Sequence, residues 1–228
     1  MQYGGVERQI FATAEEIAAE AARIISDEIA NHDQLLLGLA GGSTPHATYT
    51  KLADASIDWG GVTTWMTDER WVPPADADAN QAMIRSTLHT SGRIRFLAPN
   101  TRLELPEAAA SRMTRAMRCL MNRRPSRAVT ILGMGDDGHT ASLFPGTRAL
   151  TDTSVGYLAN WVPRFDTWRL TASFGLLAAA DVTLFLVAGE GKAEAVARIA
   201  AGEELPAGLV TAGERVVWLL DEGAASLL

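Results

Sequence analysis

Two hydrophobic patterns alternate along the chain. Short runs of apolar and β-branched residues occur at Leu35-Leu36-Leu37-Gly38-Leu39, Val62-Thr63-Thr64-Trp65-Met66, Ala128-Val129-Thr130-Ile131-Leu132, Val182-Thr183-Leu184-Phe185-Leu186-Val187 and Val216-Val217-Trp218-Leu219. A strand covered on both faces reads this way, because neither of its faces meets water. Between the runs, apolar residues recur at helical spacing. Thr13-Ala14-Glu15-Glu16 has the spacing of a capping box, in which Thr13 and Glu16 satisfy each other's backbone donors, and Ile17, Ala21, Ile24 and Ile29 follow on one face. This predicts a helix over about residues 14–30. Ala-rich stretches near residues 81–88, 107–121 and 192–200 predict three more, and Pro45, capped by Thr44, opens another. Strands separated by helices predict an α/β fold: one three-layer domain over residues 1–228, a mostly parallel sheet with helices on both faces. No repeat, low-complexity tract or linker interrupts the pattern. Residues 73–78 and 160–168 read as surface loops, which often carry function.

In an open parallel sheet, ligands bind beyond the carboxyl ends of the strands, so the chemistry is sought there. Gly41-Gly42-Ser43-Thr44-Pro45 lies between a strand run and a helix. Its glycines permit close backbone approach, and a helix start offers unpaired N–H groups and a favourable dipole, as a phosphate requires. A plain tight turn would read the same way, and the lysine of a Walker loop is missing. Thr67-Asp68-Glu69-Arg70-Trp71 follows the next strand and could position a polar substrate or form a surface ion-pair cluster.

The loop Gly133-Met134-Gly135-Asp136-Asp137-Gly138-His139-Thr140-Ala141-Ser142-Leu143-Phe144-Pro145 formally contains G-x-G-x-x-G after a strand. A dinucleotide site is rejected. Asp136 and Asp137 would set two carboxylates against the pyrophosphate, and Phe144-Pro145 interrupts the helix whose dipole is needed. What the loop does offer is a carboxylate, Asp137, two residues before His139. An imidazole so partnered suits general-base work near neutral pH, whereas His32, His46 and His89 have no comparable surroundings and read as packing or capping residues. Arg169 and Lys192 are either phosphate anchors or solvated surface charges.

Composition narrows the ligand. The chain has 228 residues, 47% hydrophobic and 21% charged, with 20 basic against 27 acidic residues and a net charge of −7. That balance argues against nucleic acid and acidic membrane surfaces as partners, so a bound anion must be held by a local device. The single Cys119 allows no intramolecular disulfide and no multi-cysteine metal site. Glu7, Glu15, Glu16 and Glu20 occupy a region where a secretory signal would be basic and then apolar, and no apolar run reaches a membrane span of about 18 residues. The expected location is the cytoplasm.

Taken together, these motifs resemble the glucosamine-6-phosphate isomerase/6-phosphogluconolactonase family, on its lactonase side. The resemblance runs from Gly41–Pro45 through Asp68-Glu69-Arg70 and the Gly133–Pro145 loop to Arg169, Lys192 and Leu205-Pro206-Ala207. It implies a modified Rossmann-like sheet and hydrolysis of 6-phosphoglucono-1,5-lactone to 6-phosphogluconate, in the oxidative pentose phosphate pathway, without metal or organic cofactor. It further implies His139 as the base with Asp137 as its carboxylate neighbour. Gly42, Ser43 and Thr44 would form the phosphate loop, with Arg169 and Lys192 as cations around the phosphate and Arg70 as a substrate-site arginine; Asp68 and Asn80 are further candidates. Two departures stand out. Where the family usually reads Asp-Ser-Asn-Tyr, this chain reads Asp78-Ala79-Asn80-Gln81, and Pro163 is followed by Arg164-Phe165-Asp166-Thr167-Trp168 where further prolines are common. A related isomerase-deaminase and a non-catalytic sugar-phosphate sensor are the alternatives. In the deaminase pattern an acid-base Glu stands five residues after the histidine, and that count reaches Phe144 here.

Overall fold

The structure is a computed structural model that describes residues 5–89, 94–102 and 105–228. In chain order its strands and helices are β1 (Gly5–Phe11), α1 (Ala14–Asn31), β2 (Leu35–Leu39), α2 (Ser43–Asp54), β3 (Val62–Met66), β4 (Asp68–Arg70), α3 (Asn80–Thr87), β5 (Arg95–Leu97), α4 (Pro106–Met121), β6 (Arg127–Leu132), β7 (Tyr157–Val162), β8 (Thr167–Ala172), α5 (Phe174–Leu177), β9 (Val182–Val187), α6 (Ala193–Ala200) and β10 (Arg215–Asp221). Seven strands form one sheet in the order β1-β10-β9-β6-β2-β3-β5, and every pairing in it is parallel. All five predicted strand runs lie in it, so the mostly parallel α/β architecture is the one observed.

Side chains alternate across this sheet as a pleat demands. Leu35, Leu37, Leu39, Val129, Ile131, Leu184 and Leu219 enter an apolar cluster with Ile17 and Ile25 of α1, Tyr49 of α2 and Ile84 of α3. Leu36, Leu132, Phe185, Val187 and Trp218 enter a second cluster on the opposite face, with Met113 and Met117 of α4 and Val196 of α6. Helices thus cover both faces. The second face also carries a three-stranded antiparallel sheet, β4-β8-β7, which packs on α4.

That small sheet corrects the sequence reading in two places. Residues 160–168 are not a surface loop. They span the end of β7, a tight turn at Pro163–Phe165 and the start of β8, and Asn160 is buried. The Asp68–Arg70 segment is likewise a strand, with Asp68 and Glu69 buried, rather than an exposed ion-pair cluster. The helix starts differ in detail. Thr13 Oγ1 accepts from Glu16 N as predicted, but the Glu16 carboxylate takes the N–H of Ala12 rather than that of Thr13. Helix α2 begins at Ser43 with Gly42 as its N-cap, so Thr44 and Pro45 lie inside the first turn and Thr44 caps nothing.

β2 and β6 are neighbours, yet the chain leaves β2 toward β3 on one side and β6 toward β9 on the other. Where successive crossovers diverge in this way, a crevice opens beyond the strand ends. The candidate site lies there.

Candidate functional site

A cleft of about 380 Å³ opens at that point, walled by the turns after β2, β6 and β9 and by the small sheet. Its lining includes every residue singled out from the sequence except Asp137, which stands directly behind His139: Gly42, Ser43, Thr44, Asp68, Arg70, Asn80, His139, Arg169 and Lys192.

The turn after β2 is shaped by its glycines. A Cβ at Gly41 would lie 2.0 Å from Asn80 Oδ1, and Gly42 holds φ at +111°, where side chains are strained. The first helical bond of α2 runs from His46 N to Gly42 O. Ser43 and Thr44 therefore keep N–H groups without an intrahelical partner, and Pro45 has none to offer. This is the anion-favouring end of a 12-residue helix, reached although the predicted cap was misplaced.

Beyond β6, the loop folds back on itself through Gly135 N–His139 O (2.8 Å) and the left-handed Gly138 (φ +78°). A Cβ on Gly135 would stand 2.0 Å from His139 Nδ1, so only glycine lets the ring seat here. His139 Nδ1 meets Asp137 Oδ1 at 2.5 Å, and the same oxygen accepts the His139 backbone N–H at 3.1 Å. An ionised carboxylate only accepts, so Nδ1 carries the hydrogen and Nε2 of the neutral ring is left as the basic atom. Burial would raise the Asp137 carboxyl, but the backbone and ring donors of His139, together with Arg164, hold it below its ordinary range. The imidazole stacks on Phe144, with ring centroids 4.0 Å apart. His89, by contrast, pairs with Thr64 Oγ1 and stacks on Phe96, and His32 bonds Glu28 O, as packing and capping residues do.

The small sheet supplies two of the three cations in the lining. β4 and β8 pair so that Arg70 stands directly opposite Arg169. Like charges at such a position repel, and an anion between them removes the cost. Arg169 is the more committed: its Nε is buried with no hydrogen-bond partner, and desolvation lowers its pKa against the pull of Asp68. Arg70 is held by Nη1 donating to Asp78 O at 2.7 Å. Lys192 follows β9 and forms no ion pair with any described residue.

Beneath these cations lies a polar network that sequence reasoning only partly reached. Ser142 Oγ donates to Asp68 Oδ2 at 2.7 Å, and Asn80 Nδ2 donates to the backbone O and, at 3.4 Å, to Oδ1 of Asp68. Asn160, read from sequence as a loop residue, donates to Ser142 O and Thr147 Oγ1. Glu69 was also missed. Its fully buried carboxylate accepts the N–H groups of Arg70, Asn80 and Gln81, and burial pushes it up to about 7 although those three donors oppose the shift. At the departure over residues 79–81 the helix start is still satisfied. Ala79 is the N-cap of α3 with no hydroxyl to offer, and Glu69 takes the free N–H groups instead. Gln81 points its amide away from the cleft, to Pro99 O. Among the described residues, no group of three or more His, Cys, Asp or Glu side chains converges as metal ligands do.

Residues 9–218 match the family described as glucosamine-6-phosphate isomerases/6-phosphogluconolactonase. The chain is 34% identical over 201 residues to a 6-phosphogluconolactonase of Pseudomonas aeruginosa, an alignment covering 82% of each chain. Among solved structures, 6-phosphogluconolactonase from Trypanosoma brucei superposes over the full length of both chains with a TM-score of 0.84 and 27% identity. A monomeric glucosamine-6-phosphate deaminase superposes nearly as well, with a TM-score of 0.82 and 25% identity, over 97% of this chain and all of the other.

Proposed function

The chain belongs to the glucosamine-6-phosphate isomerase/6-phosphogluconolactonase family, and from that premise we propose that it hydrolyses 6-phosphoglucono-1,5-lactone to 6-phosphogluconate. The observation that carries this reading is one cleft holding a carboxylate-bound histidine and, across from it, two arginines set opposite each other beside a helix N-terminus. The phosphate of the substrate binds Ser43 and Thr44 N–H, Arg169 and Lys192, and this fixes the register of the sugar. His139 Nε2 then takes a proton from a water molecule as that water attacks the C1 carbonyl. Asp137 stabilises the imidazolium, and the same proton returns to the ring oxygen as the C1–O bond breaks. Arg70 or backbone N–H groups meet the developing oxyanion, an effect that reaches about 3 kcal/mol per donor in other enzymes.

The step uses groups of this chain and water. A lactone is already an activated ester, so no covalent intermediate is required, and the Ser142 hydroxyl is buried on Asp68 rather than bonded to His139. We assign the reaction to the cytoplasm. No described helix is long and apolar enough to cross a membrane. The acidic net charge underlies the view that nucleic acid is not a partner.

Likeness of fold does not separate lactonase from deaminase, but Phe144 does. Its phenyl ring, stacked on His139, can neither donate nor accept the proton that an acid-base relay for ring opening would pass. The decisive experiment is hydrolysis of freshly generated 6-phosphogluconolactone with the spontaneous rate subtracted, beside ammonia release from glucosamine 6-phosphate. Lactone turnover without ammonia is expected, and His139→Ala should lower kcat by about 10²–10⁴-fold with a smaller change in KM. No acceleration over the spontaneous rate would overturn the assignment.

A further inference from the structure

The hairpin tip between β7 and β8 touches the cleft at two places: Phe165 lies under the Arg169 guanidinium, which stands 5.6 Å from the phenyl ring centroid, and the tip also reaches the histidine loop. Its turn, Pro163–Phe165, closes on Asp166 in left-handed backbone (φ 48°) and brings two side chains to the Gly133–Pro145 loop. Arg164 Nη1 donates to Asp137 Oδ2 at 3.1 Å and lies 3.6 Å from Asp136. Asp137 is thus divided, one oxygen on His139 and the other on Arg164. Phe165 packs edge-on against Phe144 at 5.6 Å, and Phe144 in turn stacks on the imidazole. Two lines of contact therefore run from one tip to one ring.

We infer that Arg164 is a positioning residue for His139: it fixes the rotation of the Asp137 carboxylate, and its charge opposes protonation of the imidazole so that the base survives to lower pH. This rests on the reading of His139 as the base. A carboxylate alone beside an imidazole favours its charged form and would leave it protonated, and idle, over more of the neutral range. A guanidinium on the far oxygen offsets part of that effect without occupying Nε2. The other charges that face the imidazole or share its cleft are Asp136 on its own loop, Asp68 and Arg70 from β4, Arg169 from β8 and Lys192 beyond β9. None of them is hydrogen-bonded to Asp137; replacing Arg164 removes the cation from that carboxylate and also releases Asp136, whose charge acts on the imidazole in the same direction. Arg164 is half-exposed, which limits the effect to that of a partly screened pair.

The test compares wild type with Arg164→Ala and Arg164→Lys. For Arg164→Ala, kcat should fall about 1.5–5-fold near pH 6 with KM almost unchanged, and the acid limb of the kcat/KM profile should move up by about 0.2–0.7 pH unit. Arg164→Lys should restore the limb. The His139 ring resonance, identified by its loss in His139→Ala, should titrate upward by the same amount in ligand-free Arg164→Ala protein. An unmoved limb and an unmoved resonance overturn the inference. So does a rise in KM at constant kcat, which would make Arg164 a substrate contact. If Arg164→Ala fails to fold, Arg164→Gln keeps a donor to Asp137 without the charge and should shift the titration alone. The ring titration requires no turnover. Absence of lactonase activity would therefore sink the functional reading while the Arg164 coupling was still being decided by the resonance.

Discussion

The seven-stranded and three-stranded sheets meet at one cleft but bring different things to it. In the large sheet β2 and β9 are buried along their whole length, and their apolar side chains are spent on the two apolar clusters. What this sheet delivers to the cleft is mainly backbone, the helix start after β2 and the glycine-shaped loop after β6 that seats His139, with Lys192 after β9 as its cation. The small sheet is polar where it matters, with Asp68, Glu69, Asn160 and Thr171 buried and Arg70 opposite Arg169. It delivers charged side chains. In a chain of net charge −7, binding an anion depends on concentrating cations locally, and an antiparallel sheet with one face on a cleft does this without breaking the apolar layers. On the proposed function, one sheet answers mainly to stability and the other to recognition.

The sharpest way to break that division is to truncate a core side chain of the large sheet. Ile131 of β6 is fully buried in the cluster shared with α1, and Ile131→Ala should cost about 2–5 kcal/mol in urea unfolding while leaving turnover per folded molecule nearly intact at 25 °C. A smaller but more selective effect is expected across the cleft. Arg169→Ala removes a cation whose Nε has no protein partner, so the fold should lose little or even gain, because desolvation and the opposition to Arg70 are both relieved. Affinity for 6-phosphogluconate should instead fall about 10–100-fold, the weight of charge-assisted hydrogen bonds, with gluconate almost unaffected. Calorimetric titration with both ligands checks this. Equal losses for the two ligands, or unfolding like that of Ile131→Ala, would erase the distinction between the sheets.

Legibility in the sequence follows the same line. The large sheet could be read because a strand buried on both faces is a continuous apolar run, as in β2 and β9. Its two edges could not: β1 is largely exposed, with Val6, Arg8 and Ile10 alternating against Glu7 and Gln9, and β5 has only three residues. The small sheet was missed because its pattern mixes apolar residues with the polar ones that face the network, as in Tyr157-Leu158-Ala159-Asn160-Trp161-Val162. A turn signal was present, since Pro163 and Asp166 stand between two such segments. In the site, His139 and Asp137 are two residues apart and could be seen as a pair. The bond from Arg164 to Asp137 spans 27 positions and exists only once the β7–β8 hairpin forms. The opposition of Arg70 and Arg169 is likewise a matter of register, not of spacing along the chain.

The smallest expected effect concerns protons held by each sheet, and the signs are opposite. His89 packs at the edge of the large sheet on Thr64 of β3, and burial, reinforced by Arg85, lowers its pKa to about 4. Between about 4 and the ordinary imidazole value near 6.5 the unfolded chain binds the proton and the folded chain does not, so stability rises with pH across that window and is lost as pH falls through it. Glu69 of the small sheet is pushed up to about 7, so between the usual carboxyl range and 7 the folded chain binds more protons and this contribution is lost as pH rises. Measured Tm for the whole protein mixes the two, and single variants separate them. The stability advantage of wild type over His89→Gln should shrink as pH falls from 6.5 to 4, by an amount on the order of 1 kcal/mol because His89 is only partly buried. The advantage over Glu69→Gln should shrink instead as pH rises from 5 to 7. Should both differences slope the same way, the three N–H groups on Glu69 outweigh its burial, and the carboxylate is ionised at the α3 N-terminus throughout the neutral range.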